Sequence, residues 1–283
     1  MFLVVGANSE IGSATARLMR ARGEKVLTTT RRLVTSSHQV LLDFNSPIES
    51  SAIPEGVRCA CIFVAVARLA ACEADPAGSA LINVKRTIAL IDLLVARRIY
   101  TLFLSTNQVF DGDTPHVAAD TPMSPISEYG RQKAETESLL HKRIADGAPI
   151  GVLRLAKVVS PGMALLSTWK QELVSGRKIR AFSDMTMAPT PVDLVALSIA
   201  RMMEERLSVV AQLTGPRDVT YVEIAHFLAN KNGVDPRLIE PVRALDSGMA
   251  RGSTPRNTTL DCSLLAERYG IIVPDVFDVV DQL

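Results

Sequence analysis

The chain has 283 residues, 47% of them apolar, and a formal net charge of +1. That length suits one large α/β domain, or a cofactor domain with a smaller lobe, and the composition can bury a sizeable core. With no basic stripe or acidic tail, nucleic acid is not an expected ligand, and no apolar run approaches the length of a bilayer span.

Met1 runs directly into the strand-like Phe2-Leu3-Val4-Val5. No basic leader with an apolar signal region precedes it, so the expected location is cytoplasmic. The four cysteines (Cys59, Cys61, Cys72, Cys262) read as buried thiols in a reducing compartment. They and the four histidines lack metal-ligand spacing, and no metal is expected.

Strands are expected at Phe2–Val5, Lys25–Thr29, Gln39–Leu42, Ala60–Val66, Thr101–Leu104 and Ile150–Leu155. Helical patterns at Glu10–Arg22, Ala77–Arg98 and Tyr129–Ile144 alternate with them. Short, fully apolar strands alternating with helices predict a doubly wound parallel sheet covered on both faces. After Ser160-Pro161-Gly162 the character changes. Helices are expected at Leu165–Ser175, Pro191–Glu205, Tyr221–Asn230 and Ser263–Tyr269, in a smaller C-terminal lobe, and Val209–Leu213 as a strand returning to the sheet. The expected division is a dinucleotide-binding unit over 1–159, rejoined by 188–215, and a substrate lobe over 160–187 and 216–283.

Gly6-Ala7-Asn8-Ser9-Glu10-Ile11-Gly12 leaves the first strand and opens the first helix. A dinucleotide pyrophosphate needs such a turn, because glycine permits close approach and the helix start offers unpaired N–H groups. Gly6 is expected to make the turn, with Asn8, Ser9, Glu10 and Ile11 beside the phosphates. Gly12 allows helix and sheet to pack closely. Ser9 stands where a middle glycine is usual, and an ordinary βα turn remains the alternative. The second strand ends in Thr28-Thr29-Thr30-Arg31-Arg32, which has no acid for a ribose hydroxyl. Arg31 and Arg32 suit a 2′-phosphate, or are solvated loop charges, so NADP is favoured with NAD admissible. Asp43 is expected near the adenine amine, and Ala65, Val66 and Ala67 complete the cofactor set on this Rossmann-type unit.

Tyr129 and Lys133 lie four residues apart on an expected helix and so share a face. An ammonium there is expected to lower the phenol towards neutrality. Thr106 leaves a strand at its C-terminal end, where open α/β sheets place their ligands. Asn83, within a helix, is a candidate to orient Lys133 through water, or simply a packing residue.

Together these segments resemble the extended short-chain dehydrogenase/reductase superfamily, and most closely its dTDP-4-dehydrorhamnose reductase group. The resemblance is carried by Gly6–Gly12, Glu73-Ala74-Asp75-Pro76, Ser105 to Gly112, Tyr129 with Lys133, Ala188-Pro189-Thr190 and Pro255 to Asp261. It implies a catalytic set of Thr106, Tyr129 and Lys133, with Asn83 in support. Substrate contacts are expected from Asn107, Gln108 and Arg256, the last against a diphosphate. Asn107 and Gln108 stand where the group has an acid and an aromatic. Neither exchanges protons near neutral pH, which weighs against a 4,6-dehydratase. Lys157 and Arg180 are weaker diphosphate candidates, Met185 and Met187 could line the site, and Trp169 is expected in the core.

The leading expectation is an NADP(H)-dependent reductase of a keto group on a nucleotide-activated deoxysugar. The alternatives are a sugar-nucleotide epimerase with tightly held cofactor and a dinucleotide-binding regulatory subunit without turnover. A homodimer is compatible with the sequence.

Overall fold

The computed structural model describes residues 1–249, 252 and 254–283. β1 (Phe2–Val5) leads through α1 (Glu10–Ala21) to β2 (Val26–Thr30), β3 (Gln39–Leu41) and β4 (Cys59–Ile62). Then come α2 (Leu69–Ala74), α3 (Pro76–Ala80), a π-helical segment (Leu81–Arg86) and α4 (Thr87–Ala96). β5 (Tyr100–Thr106), α5 (Glu128–Ala145) and β6 (Ile150–Leu155) follow. The chain continues through β7 (Val158–Val159), α6 (Ala164–Val174), β8 (Ile179–Phe182), β9 (Thr186–Met187), β10 (Thr190–Pro191) and α7 (Val192–Glu205). It ends with β11 (Val210–Leu213), β12 (Val219–Thr220), α8 (Tyr221–Lys231), β13 (Ile239–Val242), α9 (Ser263–Tyr269) and α10 (Val276–Asp281).

Seven strands form one parallel sheet in the order β11-β6-β5-β4-β1-β2-β3. β1, β4, β5 and β6 are buried at every position, as expected where helices cover both faces. Alternation along the strands divides the core. Leu102 and Cys61 pack with Met19, Ile199 and Met202 on the α1 and α7 side. Leu3, Ile62 and Phe103 pack with Leu90, Leu94 and Leu140 on the α4 and α5 side. The switch in strand order lies between β1 and β4, so the crevice at their C-terminal ends is where such sheets hold ligands.

The later segments build a separate apolar cluster around Leu166, Trp169, Ile224 and Val280, with Tyr221 set edge-on to Trp169. Short pairs, β8 with β13 and β9 with β12, frame it. Trp169 is therefore core, as is Met187, with Met185 packed against the same cluster. Among the described residues no helix is long and apolar enough to cross a membrane.

Two expectations change, and two short helices come in addition. β4 stops at Ile62, short of Val66, and the released Phe63–Val66 backbone turns into the crevice. The helix expected from Ala77 starts at Pro76, with Asp75 accepting the Gly78 N–H at 2.9 Å, and it widens to π form around Asn83. Hydroxyls of Thr87 and Thr136 take up the carbonyls of Ile82 and Asn83 there, at 2.9 and 3.1 Å. The six-residue helices α2 and α10 are too short to show an amphipathic period.

Candidate active site

The phosphate loop is closed by its own side chain. Gly6 sits at φ +93°, a conformation that penalises any Cβ, and a Cβ there would meet Val64 at 2.9 Å. A Cβ on Gly12 would stand 2.7 Å from the Gly6 carbonyl. Ser9 caps α1: its hydroxyl accepts the Gly12 N–H at 3.1 Å and donates to the Gly6 carbonyl at 2.9 Å. Glu10 bonds the Ser160 hydroxyl, tying the helix start to the segment after β7.

A cleft of about 340 Å³ opens from this loop. Gly6, Asn8, Ser9, Thr30, Arg31, Asp43, Ala65 and Val66 all line it, so four separate segments of the expected cofactor set converge. Arg32 does not line it: the residue is exposed and its backbone N–H turns to the Thr30 hydroxyl. The expected pair of arginines is thus reduced to Arg31. Asp43 lines the cleft while one of its oxygens accepts from the backbone and amide of Asn45.

A second cavity, about 240 Å³, adjoins the first and shares Ser9, Phe63 and Ala65 with it. Thr106, Tyr129 and Lys133 line it, with Ile11 and Ala67. α5 delivers two of them. Its start is capped by Ser127, which accepts the Gly130 N–H at 3.0 Å, and by Glu73, which accepts the Glu128 N–H at 2.8 Å. Gly130 lets this helix end sit against the turn after β5, because a Cβ would lie 2.1 Å from the Gln108 carbonyl.

Lys133 is only 4% exposed. Its Nζ donates to the Leu104 carbonyl at 2.8 Å, lies 4.3 Å from the Phe103 ring centre and 5.9 Å from that of Tyr129. Burial lowers its ammonium to about 8 against the opposing pull of Glu137. Burial pushes the Tyr129 phenol above its ordinary range. The expected lowering of Tyr129 is therefore corrected: with Lys133 turned to Leu104, desolvation dominates the phenol. Thr106 accepts the Gln108 N–H at 3.2 Å, and its hydroxyl points to Asn107 Oδ1 at 3.4 Å. The Ser105 hydroxyl, 6% exposed and lining the same cavity, has no hydrogen-bond partner among the described residues.

Asn83 is corrected as well. Its amide accepts the Val66 N–H at 2.8 Å and donates to the Val66 carbonyl at 3.0 Å and to Gln132 at 2.7 Å. It holds the cleft wall, and its polar atoms are not turned to Lys133. Gln108 accepts from Ser127 at 3.2 Å and so secures the α5 cap. Neither Asn107 nor Gln108 lines either cavity; Asn107 accepts from Thr106 and Gln108 from Ser127.

Arg256 lines a larger cleft, about 770 Å³, with Arg243, Asp111, Asp113 and Asp184. Arg243 faces Asp184 at 3.6 Å, and no motif in the sequence marks it. Lys157 and Arg180 are exposed and outside that cleft. The Arg256 segment is fixed by distant partners. Asp218 accepts the N–H and hydroxyl of both Thr258 and Thr259, at 2.6–3.3 Å. Asn257 binds the carbonyls of Gly112 and Asp113, and Leu260 bridges to Val117.

The glycine cradle, the cleft at the strand ends and the unpartnered Ser105 hydroxyl fit a dinucleotide. A probable low-salt glycan biosynthesis reductase of Haloferax volcanii is 26% identical, over 97% of this chain and 94% of its own. The methionine adenosyltransferase 2 subunit beta of Bos taurus is 24% identical over 70% of this chain and 61% of its own. Among solved structures, a dTDP-4-dehydrorhamnose reductase of Bacillus anthracis in complex with NADP superposes with a TM-score of 0.82 at 16% identity, covering 99% of this chain and 97% of that one. A family model described as the RmlD substrate binding domain matches residues 1–282, and the chain belongs to that family.

Proposed function

We propose that the chain is an NADP(H)-dependent reductase of a keto group on a nucleotide-activated deoxysugar. The carrying observation is that Thr106, Tyr129 and Lys133 line one cavity, which adjoins the glycine-loop cleft through Ser9, Phe63 and Ala65. The NADP held by the Bacillus anthracis neighbour supports the cofactor choice. The dinucleotide would rest on 1–159 with 188–215, and the sugar nucleotide against 160–187 and 216–283.

When bound, the dinucleotide supplies the hydride. Tyr129 donates its proton to the carbonyl oxygen as that oxygen gains charge. The phenol carries its proton at neutral pH but burial makes it a weaker acid, so the positive charge of Lys133 has to offset that burial as the proton leaves. Thr106 turns its hydroxyl from the long Asn107 contact to the same oxygen. Lys133 remains largely an ammonium below pH 8, holds positive charge beside Tyr129 and would be the residue to meet the ribose of a bound dinucleotide. Arg256 and Arg243 receive the diphosphate.

The test is turnover of dTDP-4-dehydrorhamnose and related keto-sugars with NADPH, read by loss of nicotinamide absorbance. The likeness to a methionine adenosyltransferase beta subunit supports a second reading, a regulatory subunit without turnover. Tight NADPH binding with no keto-sugar reduced would favour it.

A further inference from the structure

Below Lys133 on the same face of α5 lies a second charge that the reaction does not use. Glu137 is one turn further along and fully buried. Its oxygens accept three hydrogen bonds from Arg154 on β6, at 2.7–3.2 Å. Arg154 is itself fully buried, stacked on Phe110 at 5.0 Å, and donates to the Ala119 carbonyl at 2.9 Å and to Gln212 at 3.2 Å. Gln212 in turn donates to the carbonyls of Val117 and Asp261. Arg154 is thus anchored to backbone through Ala119 directly and through Gln212.

An apolar pair of similar volume would fill this space at lower electrostatic cost. The ion pair is therefore better explained by its neighbours than by stability. Around Lys133 stand Phe103 and Leu104 on β5, the Cys72 thiol on α2, Tyr129 above and Glu137 below. Glu73 and Glu128 stand beyond Cys72, and His141 lies 3.7 Å from the far side of Glu137. Of these groups Glu137 is the buried carboxylate fixed in place.

We propose that Glu137, held by Arg154, is a positioning residue that keeps Lys133 an ammonium within its buried pocket. The inference rests on the roles given above to Lys133 and Tyr129 only for its catalytic consequence, because the charge on Lys133 can be read directly.

The experiment is an NMR pH titration of protein carrying 13C-labelled lysine, with the Lys133 signal assigned by its loss in Lys133→Met. Lys133 is expected to titrate near pH 8 in the unmodified protein. In Glu137→Gln the midpoint should fall by about one unit or more, and Glu137→Asp should restore most of it. A double variant, Glu137→Met with Arg154→Met, removes the ion pair together and keeps the test available if the single variant fails to fold. Its midpoint should fall by a smaller step, because Glu137 stands one turn from Lys133 on the same helix, whereas Arg154 reaches it from β6. A Lys133 midpoint unchanged in both Glu137→Gln and the double variant overturns the proposal. A midpoint that falls as expected, in a protein that reduces no keto-sugar, keeps the Glu137 inference and removes the reductase reading.

Discussion

The two clefts are assembled in different ways. The dinucleotide cleft is made where consecutive strands end: β1 gives Gly6 to Ser9, β2 gives Thr30 and Arg31, β4 gives Ala65 and Val66. Each piece is a few residues beyond a strand that the parallel sheet already aligns. The cleft proposed for the substrate is stitched from segments far apart in the chain, with Asp111 and Asp113 after β5, Asp184 after β8, and Arg243 and Arg256 near the end. Side-chain bonds to backbone hold it, above all those of Asp218 and Asn257. The first cleft inherits its shape from the sheet, whereas the second depends on individual polar residues.

The largest effect is expected at Tyr129, in the cavity that adjoins the dinucleotide cleft. Tyr129→Phe keeps the ring and its packing and removes only the hydroxyl. Turnover of a verified keto-sugar should fall by roughly 10²–10⁴-fold, the loss typical of a general acid, while NADPH binding measured by fluorescence stays within a factor of about two. Near-normal turnover would leave the site without its proton donor. Next in size is Asp218→Ala. It strips the acceptor from two N–H groups and two hydroxyls, and should lower stability by about 1–3 kcal/mol in denaturant titration. It should also weaken sugar-nucleotide binding far more than NADPH binding. Equal loss at both sites would show that the substrate cleft does not depend on that anchor alone.

This difference in construction sets what could be read from the sequence. The alternation of strand and helix runs is enough for the doubly wound parallel sheet, and turn chemistry for the glycine loop, because both signals are local. Tyr129 and Lys133 are legible for the same reason, as spacing on one helix. The role of Asn83 is not, because a π-helical widening turns its amide to Val66 and depends on Thr136 from another helix. Arg32 looks equal to Arg31 in the sequence, and only the bend after β2 separates them. Arg243 has no flanking motif. The raised phenol of Tyr129 follows from desolvation, which no spacing rule reports.

Smaller effects sharpen the comparison within the first cleft. Arg31→Ala should weaken NADPH by about 1–2 kcal/mol, close to tenfold, and leave NADH nearly unchanged, because only a 2′-phosphate can pair with the guanidinium. Arg32→Ala should change neither, since Arg32 lies outside the cleft. If the two variants behaved alike in calorimetric titrations, both arginines would act as diffuse charge and the geometric distinction would be lost.

The smallest effect concerns Ser9. Its hydroxyl occupies the Gly12 N–H and the Gly6 carbonyl, so the helix start that should meet a phosphate is already bonded internally. Ser9→Gly removes that hydroxyl and its Cβ. A glycine N-cap costs only a few tenths of a kcal/mol relative to serine, so thermal stability should fall slightly. The freed N–H and dipole are then open to the pyrophosphate, an interaction of about 0.3–1 kcal/mol at a helix start. NADPH affinity should rise by about two- to fivefold. Ser9→Ala separates the two contributions: it frees the same N–H but keeps the Cβ, so it should cost about 1 kcal/mol in stability and gain less in affinity. An affinity that instead falls about tenfold in both variants would mean that the hydroxyl itself donates to the phosphate. The loop would then rely on a single side chain, as the substrate cleft does, and the contrast between the two clefts would no longer hold.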